Sequence, residues 1–131
     1  MGDVKLKLAP IVLFVYNRPE HTKRTIKALK NNKLAQESEL FIFSDGEKSS
    51  NDYQNVKKVR KIINNIIGFK NIKVFESEIN KGLADSVIDG VTKIINDYEK
   101  VIVLEDDLIT SKNFLSYMNR ALNFYEDNFH K

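Results

Sequence analysis

Four short apolar runs alternate with four segments of helical spacing along this chain. The runs are rich in β-branched and aromatic residues and barely alternate with polar ones, which is typical of parallel strands buried on both faces. They are Ile11–Tyr16, Leu40–Phe43, Ile72–Phe75 and Val101–Leu104. The other segments place apolar residues three or four positions apart, which predicts amphipathic helices. Their apolar stripes begin at Thr22, Val56, Leu83 and Phe114.

This order predicts an α/β fold in which one parallel sheet is sandwiched by helices. Each strand–helix–strand crossover is right-handed, so the helices cover the sheet between successive strands. The length of 131 residues suits a single domain over residues 1–131. Ligands of such sheets bind beyond the carboxyl ends of the strands, so the residues that follow each apolar run are the candidates for a site.

The composition removes several classes of protein and of site. Hydrophobic residues make up 42% of the chain and charged residues 30%, which excludes a disordered or fibrous protein. With no cysteine and two histidines, thiolate chemistry is excluded and a histidine-rich zinc site is disfavoured. The net charge of +3 comes from interspersed acids and bases, so we expect no nucleic-acid partner. We interpret the one dense basic run, residues 57–61, as the solvated face of a helix.

The sequence shows no targeting or membrane-spanning pattern. Its first residues are charged, and the longest apolar run, Ile11–Tyr16, is too short to cross a bilayer. These features favour a cytoplasmic location, with a peripheral position at the inner face of the membrane left open.

Three adjacent carboxylates, Glu105, Asp106 and Asp107, follow the fourth apolar run directly. Water, basic partners or a divalent cation can relieve their mutual repulsion. Mg²⁺ and Mn²⁺ suit such oxygen ligands, and Mg²⁺ is commonly held by one or two carboxylates together with substrate phosphates. A solvated turn that caps the next helix is the alternative, but Ser111 is already available as a cap. We therefore favour a site for Mn²⁺ or Mg²⁺.

The ends of the other strands carry weaker candidates. Arg18, beside Asn17, could bind a phosphate or the acidic cluster, and a surface ion pair with Glu20 is equally supported. Asp45 could accept a hydrogen bond from a base or a ribose, although Asp-Gly is also a turn signal. Residues 80–82 open the third helix, whose amino terminus can bind an anion, and an ordinary turn is the simpler interpretation there.

Four segments together carry a family resemblance: Pro10–Glu20, Phe43–Gly46, Asn80–Ala84 and Val103–Leu108. In this order they resemble the nucleotide-binding half of GT-A fold glycosyltransferases, above all family 2. The Glu-Asp-Asp form of the acidic motif also resembles that of N-acetylglucosaminyltransferase I. The resemblance runs from about Pro10 to the end of the fourth helix. It implies a Rossmann-like sheet of strand order 3-2-1-4, with the ends of the first and fourth strands side by side.

The resemblance also implies a donor site for a nucleotide sugar, with a UDP-sugar favoured. The uridine and diphosphate pocket would be bordered by Tyr16, Asn17 and Arg18. Asp45 would face the uracil. The diphosphate or donor sugar would lie near Asn80, Lys81 and Gly82. In the acidic motif, Glu105 would lie near the sugar or ribose, Asp106 would approach the ribose, and Asp107 would hold the metal that bridges the phosphates.

The chain departs from the family in the segment after the acidic motif. Such enzymes continue further, and the later part supplies the acceptor site and the catalytic base. No acid after Asp107 stands at a convincing strand end, so the catalytic residue is unassigned. We expect the chain to be the N-terminal part of a longer, inverting glycosyltransferase, with an unknown saccharide, lipid-linked or protein acceptor. Apolar surface near the fourth helix and the Val101–Leu104 strand could support a homodimer. Ser44 replaces the first acid of the family's Asp-Asp pair.

Two other functions stay open from the sequence. The first is a non-enzymatic, doubly wound regulatory module with a divalent-cation site, like a receiver domain. Receivers keep their acidic pair after the first strand, whereas this chain has Asn17 and Arg18 there and its acids after the fourth. The second is a metal-dependent phosphotransferase or nuclease, which the absence of a recognisable nucleophile weakens.

Overall fold

A computed structural model describes residues 7–129, without the side chains of residues 127 and 129, and contains one four-stranded sheet. The strands are β1 (Ile11–Val15), β2 (Glu39–Ser44), β3 (Asn71–Glu76) and β4 (Ile102–Glu105). The α-helices are α1 (Pro19–Lys30), α2 (Tyr53–Ile63), α3 (Leu83–Tyr98) and α4 (Phe114–Phe129). Short 3₁₀ helices lie at Ala35–Glu37 and Ser50–Asp52. Within residues 7–129, no helix is both long and apolar enough to cross a membrane.

The sheet has the predicted order, β3-β2-β1-β4, and every strand pair is parallel. The register sets Ser44 of β2 beside Val15 and Glu105 of β4 beside Phe14, so all the strands point their carboxyl ends to one edge. The segments that follow β1 and β4 are therefore neighbours in space although about 90 positions separate them in the sequence.

Three helices cover one face of the sheet and α3 covers the other. The larger core joins Leu13 of β1 to Ile26 of α1, Val59 of α2 and Leu115 of α4, all buried. Burial on both faces explains why the β1 sequence is continuously apolar, since all five of its residues are buried.

On the opposite face, α3 lies unusually close to the strands. A Cβ atom on Gly90 of α3 would stand 2.8 Å from the ring of Phe14, so glycine is what permits this approach. The rings of Phe14, Phe43 and Phe75 stack across three adjacent strands, with centroids 5.4 and 4.7 Å apart. This packing fixes the helix over the sheet and thereby fixes its amino-terminal end beside the strand ends.

The start of α4 differs from the sequence prediction. Ser111 lies three residues before the first helical residue, and its backbone carbonyl accepts a hydrogen bond from the Phe114 N–H at 3.1 Å. A buried side chain from beyond the end of α1 serves the helix as well, because Asn32 Oδ1 accepts the Leu115 N–H at 2.9 Å. A partner 83 positions away in sequence is invisible to a local capping pattern.

Candidate functional site

A cleft of about 290 Å³ opens where β1, β2, β4 and the start of α3 meet. Phe14 and Phe43 give it an apolar wall, and polar side chains occupy the rest of its lining. Eight of the ten residues predicted from the sequence line this cleft: Tyr16, Asn17, Arg18, Asp45, Asn80, Gly82, Glu105 and Asp106. The parallel sheet brings them together because every one of them follows, ends or faces the carboxyl end of a strand.

Asp45 holds the loop that leads into α3. Its carboxylate accepts the backbone N–H groups of Gly46 at 2.9 Å, Lys81 at 2.9 Å and Gly82 at 3.0 Å. It also accepts a longer bond, 3.2 Å, from the Asn80 side-chain amide. A carboxylate offers about four acceptor sites, so these bonds occupy most of its capacity. Asp45 is buried at the cleft wall, where it fixes the position of the helix amino terminus.

Arg60 of α2 braces the same region from behind. Its guanidinium donates to the Ser44 hydroxyl at 3.0 Å and to the backbone carbonyls of Asp45 at 3.2 Å and Ser77 at 2.8 Å. The interpretation of the basic run as a solvated helix face is therefore wrong for Arg60, which is half-buried. It holds for Lys57, Lys58 and Lys61, which are exposed. Arginine suits this place because its planar fork can serve several carbonyls at once.

Arg18 and Asp106 join the ends of β1 and β4. The Arg18 guanidinium donates to Asp106 Oδ1 at 2.7 Å, with 47% of the arginine side chain exposed and 6% of the aspartate. The backbone carbonyl of Asp106 also accepts the Thr25 hydroxyl at 2.8 Å. Of the partners that the sequence allowed for Arg18, the structure selects the acidic cluster, and the pair lies at the mouth of the cleft.

Burial sets the acidity of Asp106. Removal from water raises the pKa of its carboxyl above the ordinary value, and the charge of Arg18 offsets part of that rise. The neighbouring carboxylate of Asp107 adds a smaller upward contribution. A buried carboxyl with an arginine at a cleft mouth is a combination that recurs at functional sites, although structural ion pairs produce it as well.

Tyr16 and Asn17 close the other end of the cleft with the help of Asp52. The Tyr16 hydroxyl donates to Asp52 Oδ2, and the Asn17 amide donates to Asp52 Oδ1 at 2.9 Å. The backbone N–H of Lys48 donates to the Tyr16 hydroxyl at 3.1 Å. Burial and the bond to Asp52 raise the pKa of Tyr16, while the bonds from Tyr16 and Asn17 lower the pKa of Asp52.

Two of the predicted residues do not line the cleft. The Lys81 ammonium pairs with Asp89 on α3 at 3.0 Å and lines a neighbouring cleft of about 330 Å³, although its backbone N–H reaches Asp45. Asp107 is exposed in the turn after β4, outside the residues that line the first cleft.

The comparison of the sequence with known families decides the class of the domain. The sequence model described as glycosyl transferase family 2 matches residues 11–129. The chain belongs to glycosyl transferase family 2. The resemblance to family 2 is thereby confirmed, and the likeness to N-acetylglucosaminyltransferase I stays a prediction.

A solved structure agrees on the fold of this family 2 domain. The crystal structure of TarS from S. aureus superposes with a TM-score of 0.58 at 19% sequence identity, over 90% of this chain and 20% of that chain. At this identity the likeness concerns the fold. The family 2 domain thus spans about a fifth of the length of TarS. No curated protein matches the chain.

The carboxylates of the family 2 domain bear on whether it can hold a metal. Among the described side chains, those of residues 7–126 and 128, no group of three or more His, Asp or Glu is arranged to hold an ion. Asp106 is engaged by Arg18, while Glu105 and Asp107 on either side of it are exposed, Glu105 in the lining of the cleft and Asp107 outside it. One or two free carboxylates fit an ion that takes its remaining ligands from phosphates and water, and do not fit an ion held by protein side chains alone.

Sequence reasoning missed Asp52, Lys48 and Arg60 in this family 2 domain. All three lie on or before α2, and their contacts with the site reach 15 to 36 positions along the sequence. One local signal was available in the sequence, because Asp52 is an acid that immediately precedes the helix, although in the structure its carboxylate makes no capping hydrogen bond there. A basic side chain beside the apolar stripe of α2, such as Arg60, was the other.

Proposed function

We propose that this family 2 domain is the donor-binding part of a glycosyltransferase that uses a nucleotide sugar, a UDP-sugar by preference. The observation that carries the proposal is the cleft in which Arg18 of the β1 end meets Asp106 of the β4 end. Family membership supports a transferase over the regulatory module and over the nuclease. The inverting outcome is part of the proposal, and no residue of this chain is assigned as the catalytic base or to the acceptor.

In this proposal the nucleoside lies between Asp106 and the end of the cleft that Tyr16 and Asn17 close. The Tyr16 ring offers a face for the base, and the Asn17 amide borders the same space. Asp106 would accept a hydrogen bond from a ribose hydroxyl, which its position at the cleft mouth allows. Desolvation inside the cleft strengthens such a bond to a carboxylate.

The diphosphate would lie towards Arg18 and the start of α3. The guanidinium is about half exposed, so donors remain for a phosphate, and the amino terminus of a 16-residue helix favours an anion. We propose Asn80 and Gly82 as neighbours of the diphosphate or donor sugar, with Lys81 supplying charge from one side. When Mn²⁺ or Mg²⁺ is bound with the diphosphate, it neutralises the charge of the leaving group. Asp107 would hold that ion, and Glu105 would lie near the sugar or ribose.

The role proposed for Asp45 follows from the hydrogen bonds that its carboxylate accepts. The family resemblance assigns it to the uracil, while its carboxylate accepts bonds from the loop before α3. We propose that it serves the donor chiefly by holding that loop, and that any contact with the base is secondary.

The proposal extends to the rest of the enzyme and to its location. We propose that it forms the N-terminal part of a longer cytoplasmic enzyme, with a peripheral position at the membrane still open. Exposed apolar side chains of the β4 edge and the turn after it, Val103, Leu108 and Ile109, suit a contact with the rest of such an enzyme or with a second copy.

The test is calorimetric titration with UDP in the presence and absence of Mn²⁺, together with thermal unfolding. UDP at about a hundred times its Kd should stabilise the domain by roughly 2.7 kcal/mol, which corresponds to a rise of about 10 °C in Tm for a domain of this size. Asp107→Asn should remove the part of this effect that depends on Mn²⁺, and Asp97→Asn, a change on the exposed side of α3, should leave it intact. No UDP binding by this chain or by the longer enzyme would contradict the proposal.

A further inference from the structure

The segment before α2 reaches the cleft through one carboxylate. Asp52 ends the 3₁₀ turn Ser50–Asp52 and directly precedes the first residue of α2. An aspartate at this place is ordinarily explained as a helix cap. Here its side chain makes no capping hydrogen bond to α2, and both of its oxygens instead accept bonds from the end of β1.

Those bonds form one connected network around the Tyr16 phenol. The hydroxyl donates to Asp52 Oδ2 and accepts the backbone N–H of Lys48 at 3.1 Å, while Asn17 donates to Asp52 Oδ1 at 2.9 Å. Three separate segments are thereby joined: the end of β1, the loop after β2 and the start of α2. A phenol anchored at its hydroxyl has its ring held in one orientation, and Tyr16 and Asn17 both line the cleft.

We infer that Asp52 is a positioning residue for donor binding, which holds the Tyr16 ring and the Asn17 amide in place at the nucleobase end of the cleft. The inference rests on the proposed function for its ligand, and on the hydrogen-bond network for its geometry. Asp52 acts on the base through Tyr16 and Asn17, so it should affect a nucleotide and leave a plain diphosphate alone.

The experiment compares UDP with inorganic pyrophosphate, both titrated with Mn²⁺ into the full chain. Asp52→Ala should weaken UDP about tenfold, equivalent to about 1.4 kcal/mol, and change pyrophosphate less than twofold. Asp97→Ala is the matched control, because it removes an exposed aspartate from the last turn of α3, at the end away from the cleft. The control should leave UDP binding unchanged. Equal losses of UDP and pyrophosphate in Asp52→Ala would overturn the inference.

A double-mutant cycle with Tyr16→Phe asks whether Asp52 acts through the phenol. The phenylalanine keeps the ring but loses the hydroxyl. The variant with both substitutions should therefore bind UDP about as tightly as whichever single variant binds it less tightly. Additive losses would overturn the inference, because independent sites add. Asp52→Asn keeps an oxygen acceptor and a similar shape, and it should recover UDP binding to within about threefold of the wild type.

Tyrosine ring resonances separate a failure of this inference from a failure of the proposed function. The chain has five tyrosines, and the signal that disappears in Tyr16→Phe identifies Tyr16. Asp52→Ala should shift that signal and Asp97→Ala should not, with or without ligand. If the wild type binds no UDP but the signal shifts as expected, the donor proposal fails while the anchoring of the Tyr16 ring by Asp52 stands. An unshifted Tyr16 signal in Asp52→Ala would overturn the positioning role itself.

Discussion

The ends of β2 and β4 both carry aspartates, and the fold uses them in opposite ways. Asp45 after β2 accepts three backbone N–H groups and one side-chain amide from its own chain. After β4, Asp106 forms one ion pair with Arg18, and its neighbours Glu105 and Asp107 face solvent. One strand end is a brace, while the other leaves carboxylates available for a partner from outside.

This difference separates scaffold from recognition in a way that residue type alone does not. A carboxylate whose acceptor sites are filled by backbone N–H groups stabilises a loop, and its removal orphans those donors. Mutation of an exposed carboxylate changes the free energy of unfolding little, because water competes for its interactions and it contributes little to folding. Substitutions at the two strand ends should therefore divide into those that damage stability and those that damage binding alone.

The largest effect is expected for Asp45→Ala. The backbone N–H groups of Lys81 and Gly82 lose their acceptor, whereas that of Gly46 keeps the Ile79 carbonyl at 3.2 Å. Each buried donor left unpaired costs about 1–3 kcal/mol. Water reaching the loop would offset part of this, so we expect a loss of about 2–4 kcal/mol in the free energy of unfolding by urea. UDP and pyrophosphate should both bind less well because the loop before α3 moves. A stable variant that loses UDP alone would return Asp45 to a direct role at the base.

A smaller loss is expected for Arg18→Ala. It leaves the buried Asp106 carboxylate without its guanidinium, but the arginine is 47% exposed, so the cost is discounted to about 1–2 kcal/mol. Arg24→Ala removes an exposed arginine from α1, the helix that begins directly after Arg18, and is the control. Urea unfolding of both variants measures the difference, and equal stabilities would show that the ion pair does not stabilise the β4 end.

The pH dependence of stability should have opposite signs for Asp106 and Asp52. The pKa of Asp106 is raised, so its contribution is fully present below the ordinary aspartate pKa of about 3.9 and is lost as the pH rises through the folded value. The pKa of Asp52 is lowered, so its contribution is present above that ordinary value and is lost as the pH falls through the folded value.

Thermal unfolding across acidic pH checks this pair of signs. As the pH rises, Asp106→Asn should gain on the wild type, whereas Asp52→Asn should fall further behind it. Parallel profiles for the two variants would contradict the assignment of one carboxyl to a buried place and the other to a network of donors.

The smallest effect on stability is expected for Asp107→Asn. Its side chain is exposed in the turn after β4, and surface substitutions of this kind change the free energy of unfolding by less than about 0.5 kcal/mol. Any loss of UDP binding in this variant would then be a loss of recognition. A destabilisation as large as that of Arg18→Ala would mean that the whole acidic motif belongs to the scaffold.

Local pattern was enough for the elements and for the location of the site. The apolar runs at residues 11–16 and 101–104 predict β1 and β4 to within one residue at each end. The order 3-2-1-4 came from the family resemblance, and the structure confirms it. Capping was less predictable: Ser111 stands before α4 as expected, but the helix N–H of Leu115 is bound by Asn32 from another element.

What the sequence determined by itself is which residues stand at strand ends, because each apolar run stops within one residue of the end of its strand. The burial on both faces that the runs predicted holds for β1, whereas β4 alternates buried and exposed residues and β3 is only partly buried. What only the tertiary structure decided is how each polar residue there is used. Asp45 finds its donors 36 and 37 positions later, and Arg18 finds Asp106 after 88 positions. A carboxylate looks the same in the sequence whether its oxygens are filled by backbone N–H groups or by water. Only the packing of the chain decides whether those donors come within about 3 Å of the carboxylate oxygens or stay too far away to bind them.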